Sequence, residues 1–233
     1  MSLAQGALTL CLVTDRSFLR GTSLSDVVAA AVRGGVTSVQ LREKEADGRE
    51  FLELALALKA LLGPSGVPLY VNDRVDIALA AEADGVHLGQ SDLPTRAARE
   101  LLGRERTIGL SITQVEEARQ ADTAYADYLG VGPVFATATK PDAAPVLGIE
   151  GLARVRAVSS LPLLAIGGIH EGNAALLRPA GADGIAVVSA IMGTEEPEAA
   201  AQRLFAQFLG ARQHAGTIHS DFPGAVPSPR RGG

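Results

Sequence analysis

The sequence predicts a (βα)8 TIM barrel, and three observations carry that prediction. Short runs rich in Val, Ile and Leu alternate with longer segments of helical periodicity, the pattern of parallel strands covered on both faces by crossover helices. The alternation repeats about eight times, the number that closes such a barrel. Ala83-Asp84-Gly85, Ala126-Asp127-Tyr128 and Ala182-Asp183-Gly184 each end a helix and open an apolar strand, as recurring βα units require.

Leu8 to Thr14 reads as the first strand. Ser23 then caps a helix whose Leu24, Val27, Val28, Ala31 and Val32 fall on one face, and Gly34 with Gly35 ends it. Thr37 to Arg42 is the second strand. The next helix opens with Asp47 and Glu50 at capping-box spacing, turns Phe51, Leu54, Ala55, Leu58, Leu61 and Leu62 inward, and stops at Gly63-Pro64. Pro68 to Asn72 follows as the third strand. Five more strands are expected at Asp84 to Leu88, Thr107 to Leu110, Asp127 to Val131, Pro162 to Ile166 and Asp183 to Val187, with a helical segment between each pair. Glu196-Pro197 starts a last helix carrying Leu204, Phe205, Phe208 and Leu209 on one side. This gives one catalytic barrel over residues 1–212 and a flexible Gly, Pro, Ser and Arg tail over 213–233.

A chain of 233 residues, 47% of them hydrophobic, is long enough to fill one core. Its formal net charge of -5, with no long run of one sign, argues against nucleic acid or a membrane surface as partner. Cys11 lies in an apolar run, where it reads as a small buried hydrophobe. The first apolar run is cut short by Thr14, Asp15 and Arg16, so neither a signal peptide nor a membrane span fits, and the chain reads as cytoplasmic. Self-association into a homo-oligomer is left open.

In barrels of this type the reacting groups follow the carboxyl ends of the strands. After the second strand comes Gln40-Leu41-Arg42-Glu43-Lys44, whose alternation turns Gln40, Arg42 and Lys44 to one side. Asn72-Asp73 follows the third strand, Gly89-Gln90-Ser91-Asp92 the fourth, and Ser111 the fifth. The sixth leads into Gly132-Pro133-Val134-Phe135-Ala136-Thr137-Ala138-Thr139-Lys140, the seventh into Gly167-Gly168-Ile169, and the eighth into Val188-Ser189. Of the three lysines, Lys44, Lys59 and Lys140, two fall in loops on this one face.

A Mg2+ ion together with Arg42, Lys44 and Lys140 supplies about five positive charges, and Asp73 with Asp92 removes two. The residue of about three matches an ionised diphosphate. The loops after strands seven and eight hold Gly and Ser without nearby cations, which suits a monophosphate held by amides. Two phosphorylated small molecules facing one pocket is the reading these charges support.

In combination and order, Gln40-Leu41-Arg42-Glu43-Lys44, Asn72-Asp73, Gly85-Val86-His87-Leu88-Gly89-Gln90-Ser91-Asp92, Gly132 to Lys140 and Ala165-Ile166-Gly167-Gly168-Ile169 resemble the thiamine phosphate synthase family, over roughly Leu8 to Leu209. The resemblance implies a transferase of thiamine biosynthesis. It would join hydroxymethylpyrimidine diphosphate to a thiazole phosphate, giving thiamine phosphate and diphosphate. It implies Asp73 and Asp92 as Mg2+ ligands, with Gln40, Arg42, Lys44, Asn72, Ser111 and Lys140 as contacts to the pyrimidine diphosphate. Thr137, Thr139, Gly168, Val188 and Ser189 fall to the thiazole phosphate. The sequence departs from the family at Ala136 and Ala138, where proline is frequent, and at His170, where a small polar residue is common.

The implied mechanism is a dissociative displacement, in which diphosphate leaves the pyrimidine methylene before the thiazole nitrogen attacks. Arg42, Lys140 and Ser111 form the catalytic set: the two cations neutralise the departing charge and Ser111 offers a hydrogen bond. His87, inside a strand, reads as a satisfied core imidazole rather than a base. The rivals are a thiazole tautomerase, which needs no diphosphate clamp, a Schiff-base aldolase using Lys140, and a regulator that binds thiazole or thiamine phosphates without turnover.

Overall fold

A computed structural model describes residues 6–121, 124–137, 139 and 144–210. Eight parallel strands pair in sequence order and β8 returns to β1, closing the barrel. They are β1 (Leu10–Val13), β2 (Ser38–Leu41), β3 (Leu69–Asn72), β4 (Gly85–Leu88), β5 (Thr107–Ile112), β6 (Tyr128–Val131), β7 (Leu163–Ile166) and β8 (Gly184–Val187). The helices are α1 (Leu24–Arg33), α2 (Gly48–Leu62), α3 (Val75–Ala80), α4 (Thr95–Leu102), α5 (Val115–Gln120), α6 (Gly148–Val158), α7 (Ser189–Met192) and α8 (Pro197–Gly210). The expected tail lies outside the described residues.

Every expected strand forms, most of them shorter by a residue or two at the ends. β5 is the exception: it runs on to Ile112, so Ser111 sits within the strand, paired with Gly130, rather than after it. The connection from β7 to β8 also differs, holding a single 3-10 turn, Ala174–Leu176, where a helix is expected. Pro179 and the left-handed Gly181 (φ 102°) close off that segment before a longer helix can propagate. Both expected caps form: Ser23 accepts from the Asp26 amide at 3.1 Å, and Asp47 accepts from the amides of Arg49 and Glu50 at 2.9 Å.

Strand alternation divides the apolar residues into two cores. Leu10 and Leu12 face outward with Val39, Leu41, Val71 and Val86, meeting helix residues such as Val28, Leu58, Leu204 and Phe208. Cys11 and Val13 face inward with Leu8, Tyr70, Tyr128, Leu164 and Ala186. Burial pushes the Cys11 thiol up to about 12, so it packs as a small hydrophobe.

The amino-terminal rim repeats one device. The residue before each even-numbered strand accepts a hydrogen bond from an amide at the start of the preceding strand. Thr37 takes Leu10 N–H at 3.0 Å, Asp84 takes Leu69 at 2.8 Å, Asp127 takes Ile108 at 2.7 Å and Asp183 takes Leu163 at 2.9 Å. Each aspartate also holds a cation from a neighbouring helix: Lys59 at 2.8 Å, Arg99 at 2.6 Å and Arg156 at 3.2 Å. The recurrent Ala-Asp of the sequence is therefore a strand clasp, and Lys59, the one lysine away from the site loops, serves it.

Candidate active site

At the opposite rim the inward-facing residues of β2 rise out of the core. Gln40 is buried, Arg42 is half-buried, and Lys44 is exposed. The backbone of Arg42 donates to the buried Thr14 hydroxyl at 3.0 Å, and its guanidinium lies 3.9 Å from Asp15. Glu43 points the other way, with its side chain only 5% exposed and held by Arg16, which also grips Glu50 on α2. Burial lifts the Glu43 pKa above the ordinary carboxylate range against the pull of Arg16. This buried tie anchors the loop that carries Arg42 and Lys44.

β3 ends at buried Asn72, and the chain then turns through Asp73 with φ 63°. That left-handed conformation is uncommon for a residue with a side chain, though Asp tolerates it better than most. The turn is fixed by Asp73 N–H donating to the His87 carbonyl at 2.9 Å and Arg74 N–H to the Asn72 carbonyl at 2.8 Å. It brings the Asp73 carboxylate to Lys44 Nζ, 2.8 Å away. Asp92, after β4, is oriented by the Gly89 amide, which donates to its Oδ2 at 2.6 Å. Its pKa is raised by partial burial, opposed by the Gly89 bond, and raised further by hydrogen bonding to and charge repulsion from Asp73, with Lys44 pulling the other way.

Two adjoining carboxylates, of which Asp73 makes Asp92 harder to ionise, suit a divalent cation between them. Among the described residues no group of three or more His, Cys, Asp and Glu forms a ready cage. A pair of carboxylates fits Mg2+ all the same, since that ion keeps waters and takes substrate phosphate oxygens to fill its octahedron. The donor set, all oxygen, agrees.

Below this rim His87 fills the barrel interior. Its Nδ1 lies 2.9 Å from the Tyr128 hydroxyl and its Nε2 lies 2.9 Å from Ser111 Oγ. Burial holds the imidazole neutral, bringing its pKa down to about 4 against the opposing charge of Asp73. The reading of His87 as a satisfied core imidazole holds. Its partners, however, include Ser111, a residue of the candidate site, and that link escapes sequence reasoning. The signal for it is two glycines inside strands, Gly109 and Gly130. A methyl group at either would fall 2.6 Å from a His87 ring atom.

The loops after β6, β7 and β8 meet at the same end. Phe135 N–H donates to the Gly167 carbonyl at 3.0 Å, and Gly167 and Gly168 take φ of 100° and 64°. A side chain on Gly168 would strike Phe135 Cβ at 2.8 Å, so the glycine pair is what lets the β6 loop lie across β7. That loop carries Thr137 and Thr139, both half-buried, with Thr139 N–H bonded to Thr137 Oγ1 at 3.2 Å. Val188 is half-buried at the start of α7 and Ser189 is exposed. His170 is exposed and its Nδ1 accepts from the Gly172 amide at 3.1 Å. Lys140 and Ala138 lie outside the described residues, as therefore does the Schiff-base alternative that depends on Lys140. The structure thus joins Lys44, Asp73 and Asp92 directly, and couples Ser111 to the core.

A sequence profile of the family described as thiamine monophosphate synthase matches residues 10–191. The chain belongs to this family. Among its thiamine monophosphate synthase relatives, the thiamine-phosphate synthase of Syntrophomonas wolfei is 57% identical over 196 residues, covering 84% of this chain and 94% of the relative. That of Albidiferax ferrireducens is 56% identical over 198 residues, covering 85% and 90%. A solved structure of thiamine phosphate pyrophosphorylase from Pyrococcus furiosus superposes with a TM-score of 0.82 at 39% identity, over 90% of this chain and 99% of that one. Family membership and the barrel predicted from strand alternation therefore agree.

Proposed function

We propose that this chain is a thiamine-phosphate synthase, a transferase that joins hydroxymethylpyrimidine diphosphate to a thiazole phosphate and releases diphosphate. The observation that carries the proposal is the meeting of Asp73, Asp92 and Lys44 at the carboxyl ends of β3 and β4, in a chain of this family. A tautomerase has no use for such a clamp.

Asp73 and Asp92 would hold Mg2+, which when bound supplies a Lewis acid for the charge gathering on the departing diphosphate. Lys44 and Arg42 would face the same anion after β2, and the family resemblance adds Lys140 to them. Gln40 and Asn72, buried beneath the rim, orient the pyrimidine, and Ser111 contributes a hydrogen bond. Thr137 and Thr139, with the backbone amides of Gly168, Val188 and Ser189, hold the thiazole phosphate. The catalytic set remains Arg42, Lys140 and Ser111, and no side-chain nucleophile is needed.

Both substrates are soluble anions, which fits a cytoplasmic enzyme. Among the described residues no helix is long and apolar enough to cross a membrane. The test is to incubate purified protein with both substrates and Mg2+, then oxidise and read thiamine phosphate fluorescence. Product that depends on Mg2+ supports the reading; its absence with both substrates present overturns it.

A further inference from the structure

We infer that Asn173 is a positioning residue for the thiazole phosphate, holding the loop after β7 so that the backbone amides of Gly168 and Ile169 are both left to donate to the anion. The identity of that anion rests on the function proposed for the chain. Asn173 stands just before the 3-10 turn Ala174–Leu176, where an Asn side chain ordinarily accepts from an amide two or three residues on. Here it caps nothing. It is half-buried and reaches back instead: its Oδ1 accepts from the His170 amide at 2.9 Å, and its Nδ2 donates to the Gly168 carbonyl at 2.9 Å. Both partners are backbone groups, one a fixed donor and the other a fixed acceptor, so the orientation of the side-chain amide is set. Nor is the side chain required to close the turn, because the amides of Asn173 and Ala174 already donate to the His170 carbonyl at 3.1 and 3.0 Å.

What the side chain adds is a direction for the peptide unit between Gly168 and Ile169. In a trans unit the C=O and N–H point opposite ways, so a carbonyl drawn to Asn173 sends the Ile169 N–H away from it. The preceding unit is held in the same manner by another element. Phe135 N–H donates to the Gly167 carbonyl at 3.0 Å, which turns the Gly168 N–H away from the β6 loop. Among the described residues neither the Gly168 nor the Ile169 amide has a hydrogen-bond partner. The left-handed φ of 64° at Gly168 lets the chain bend between the two units, and a methyl there would run into the carbonyl of Ala136, the residue before Thr137. Two successive unpaired N–H groups close to a threonine suit the oxygens of a phosphate monoester.

The first measurement uses the unaltered protein with inorganic phosphate as the probe. In a titration followed by proton–nitrogen NMR, the Gly168 and Ile169 amide signals should move and saturate together; signals that stay put overturn the inference. The same titration of Asn173→Ala should need about tenfold more phosphate for half-saturation, as expected when hydrogen bonds to a charged group lose their alignment, and equal half-saturation overturns it. The second measurement is kinetic. Asn173→Ala should raise KM for the thiazole phosphate about tenfold, with kcat and KM for the pyrimidine diphosphate within about twofold, and the penalty should vanish with the thiazole alcohol that lacks the phosphate. Asn173→Asp keeps the acceptor for His170 and loses the donor to Gly168, so it should be impaired at least as much. A lower Tm with both KM values unchanged, or rising together, would mark Asn173 as a structural residue and overturn the inference. A chain that makes no thiamine phosphate but whose Gly168 and Ile169 amides take phosphate, more weakly in Asn173→Ala, would sink the proposed function and spare the role of Asn173. Turnover of both substrates with an unchanged thiazole phosphate KM in a folded Asn173→Ala would do the reverse.

Discussion

The two rims of this barrel use the same residue types to opposite ends. At the amino-terminal rim Asp84, Asp127 and Asp183 each accept from a strand amide and pair with one cation, so every charge is matched. At the carboxyl-terminal rim Asp73 and Asp92 face each other, Lys44 answers only one of them closely, and Asp73 sits in a left-handed turn. Matched charges stabilise a fold; charges held together short of neutrality wait for a ligand. The contrast separates the acids that hold the barrel from those proposed to equip it.

The largest break in that contrast is Asp92→Ala. It removes a proposed oxygen ligand for Mg2+ and relieves repulsion with Asp73, so turnover should fall about a hundredfold or more while the melting temperature holds or rises slightly. Steady-state assay beside a thermal melt checks this, and near-normal rates would remove Asp92 from the site. Asp127→Ala is the mirror experiment. It strands the Ile108 amide and takes the Asp127 carboxylate from the Arg99 guanidinium, which is only 13% exposed and keeps its backbone-carbonyl partners at Gly103, Arg106 and Tyr125. A loss of about 2 kcal/mol follows, or about 4–8 °C in Tm, with kcat within about twofold.

The strands, the caps at Ser23 and Asp47, and the Asp73 and Asp92 positions were legible because each rests on local pattern: apolar runs, cap spacing, polar residues just past a strand end. The Ala-Asp recurrence was visible too, but not its use, since the clasp joins Asp127 to an amide nineteen residues back. The link from Ser111 to Tyr128 through His87 crosses three strands, and only closure of the barrel puts those side chains in contact. The one-turn connection after β7 was not legible because the expected alternation supplies a helix between every pair of strands, while Gly181 and Pro179 decide the length here.

A change of pH sharpens the contrast from another side. The Asp92 pKa is raised, first by burial and then by Asp73, so its ionised form is the disfavoured one. In metal-free protein this acid costs stability above its folded pKa, and the penalty fades as pH falls through that value toward the ordinary carboxylate pKa. Mg2+ held as proposed would require the ionised form, so protons would compete with the metal and its affinity should weaken by up to about tenfold per pH unit below the raised pKa. The rise in Tm on adding Mg2+, followed across pH, measures it. A shift that is flat through the acid range, or that survives in Asp92→Asn, would show the metal binding elsewhere.

Lys44→Met should have the smallest effect on the fold and an informative one on binding. The Lys44–Asp73 pair is short, 2.8 Å, but the lysine side chain is 52% exposed, and an ion pair in that setting contributes under about 1 kcal/mol. If the upper rim is built for ligand rather than for stability, the melt should move little while KM for the pyrimidine diphosphate rises about tenfold and KM for the thiazole phosphate stays put. Compared with Lys59→Met at the lower rim, which removes the cation from the Asp84 clasp, the ranking should invert: Lys59→Met lowers Tm and leaves both KM values alone. Two lysines with ion pairs of equal length would then be told apart by their surroundings: Lys59 is the less exposed and its Asp84 also holds a strand amide, while Asp73 has a second carboxylate beside it.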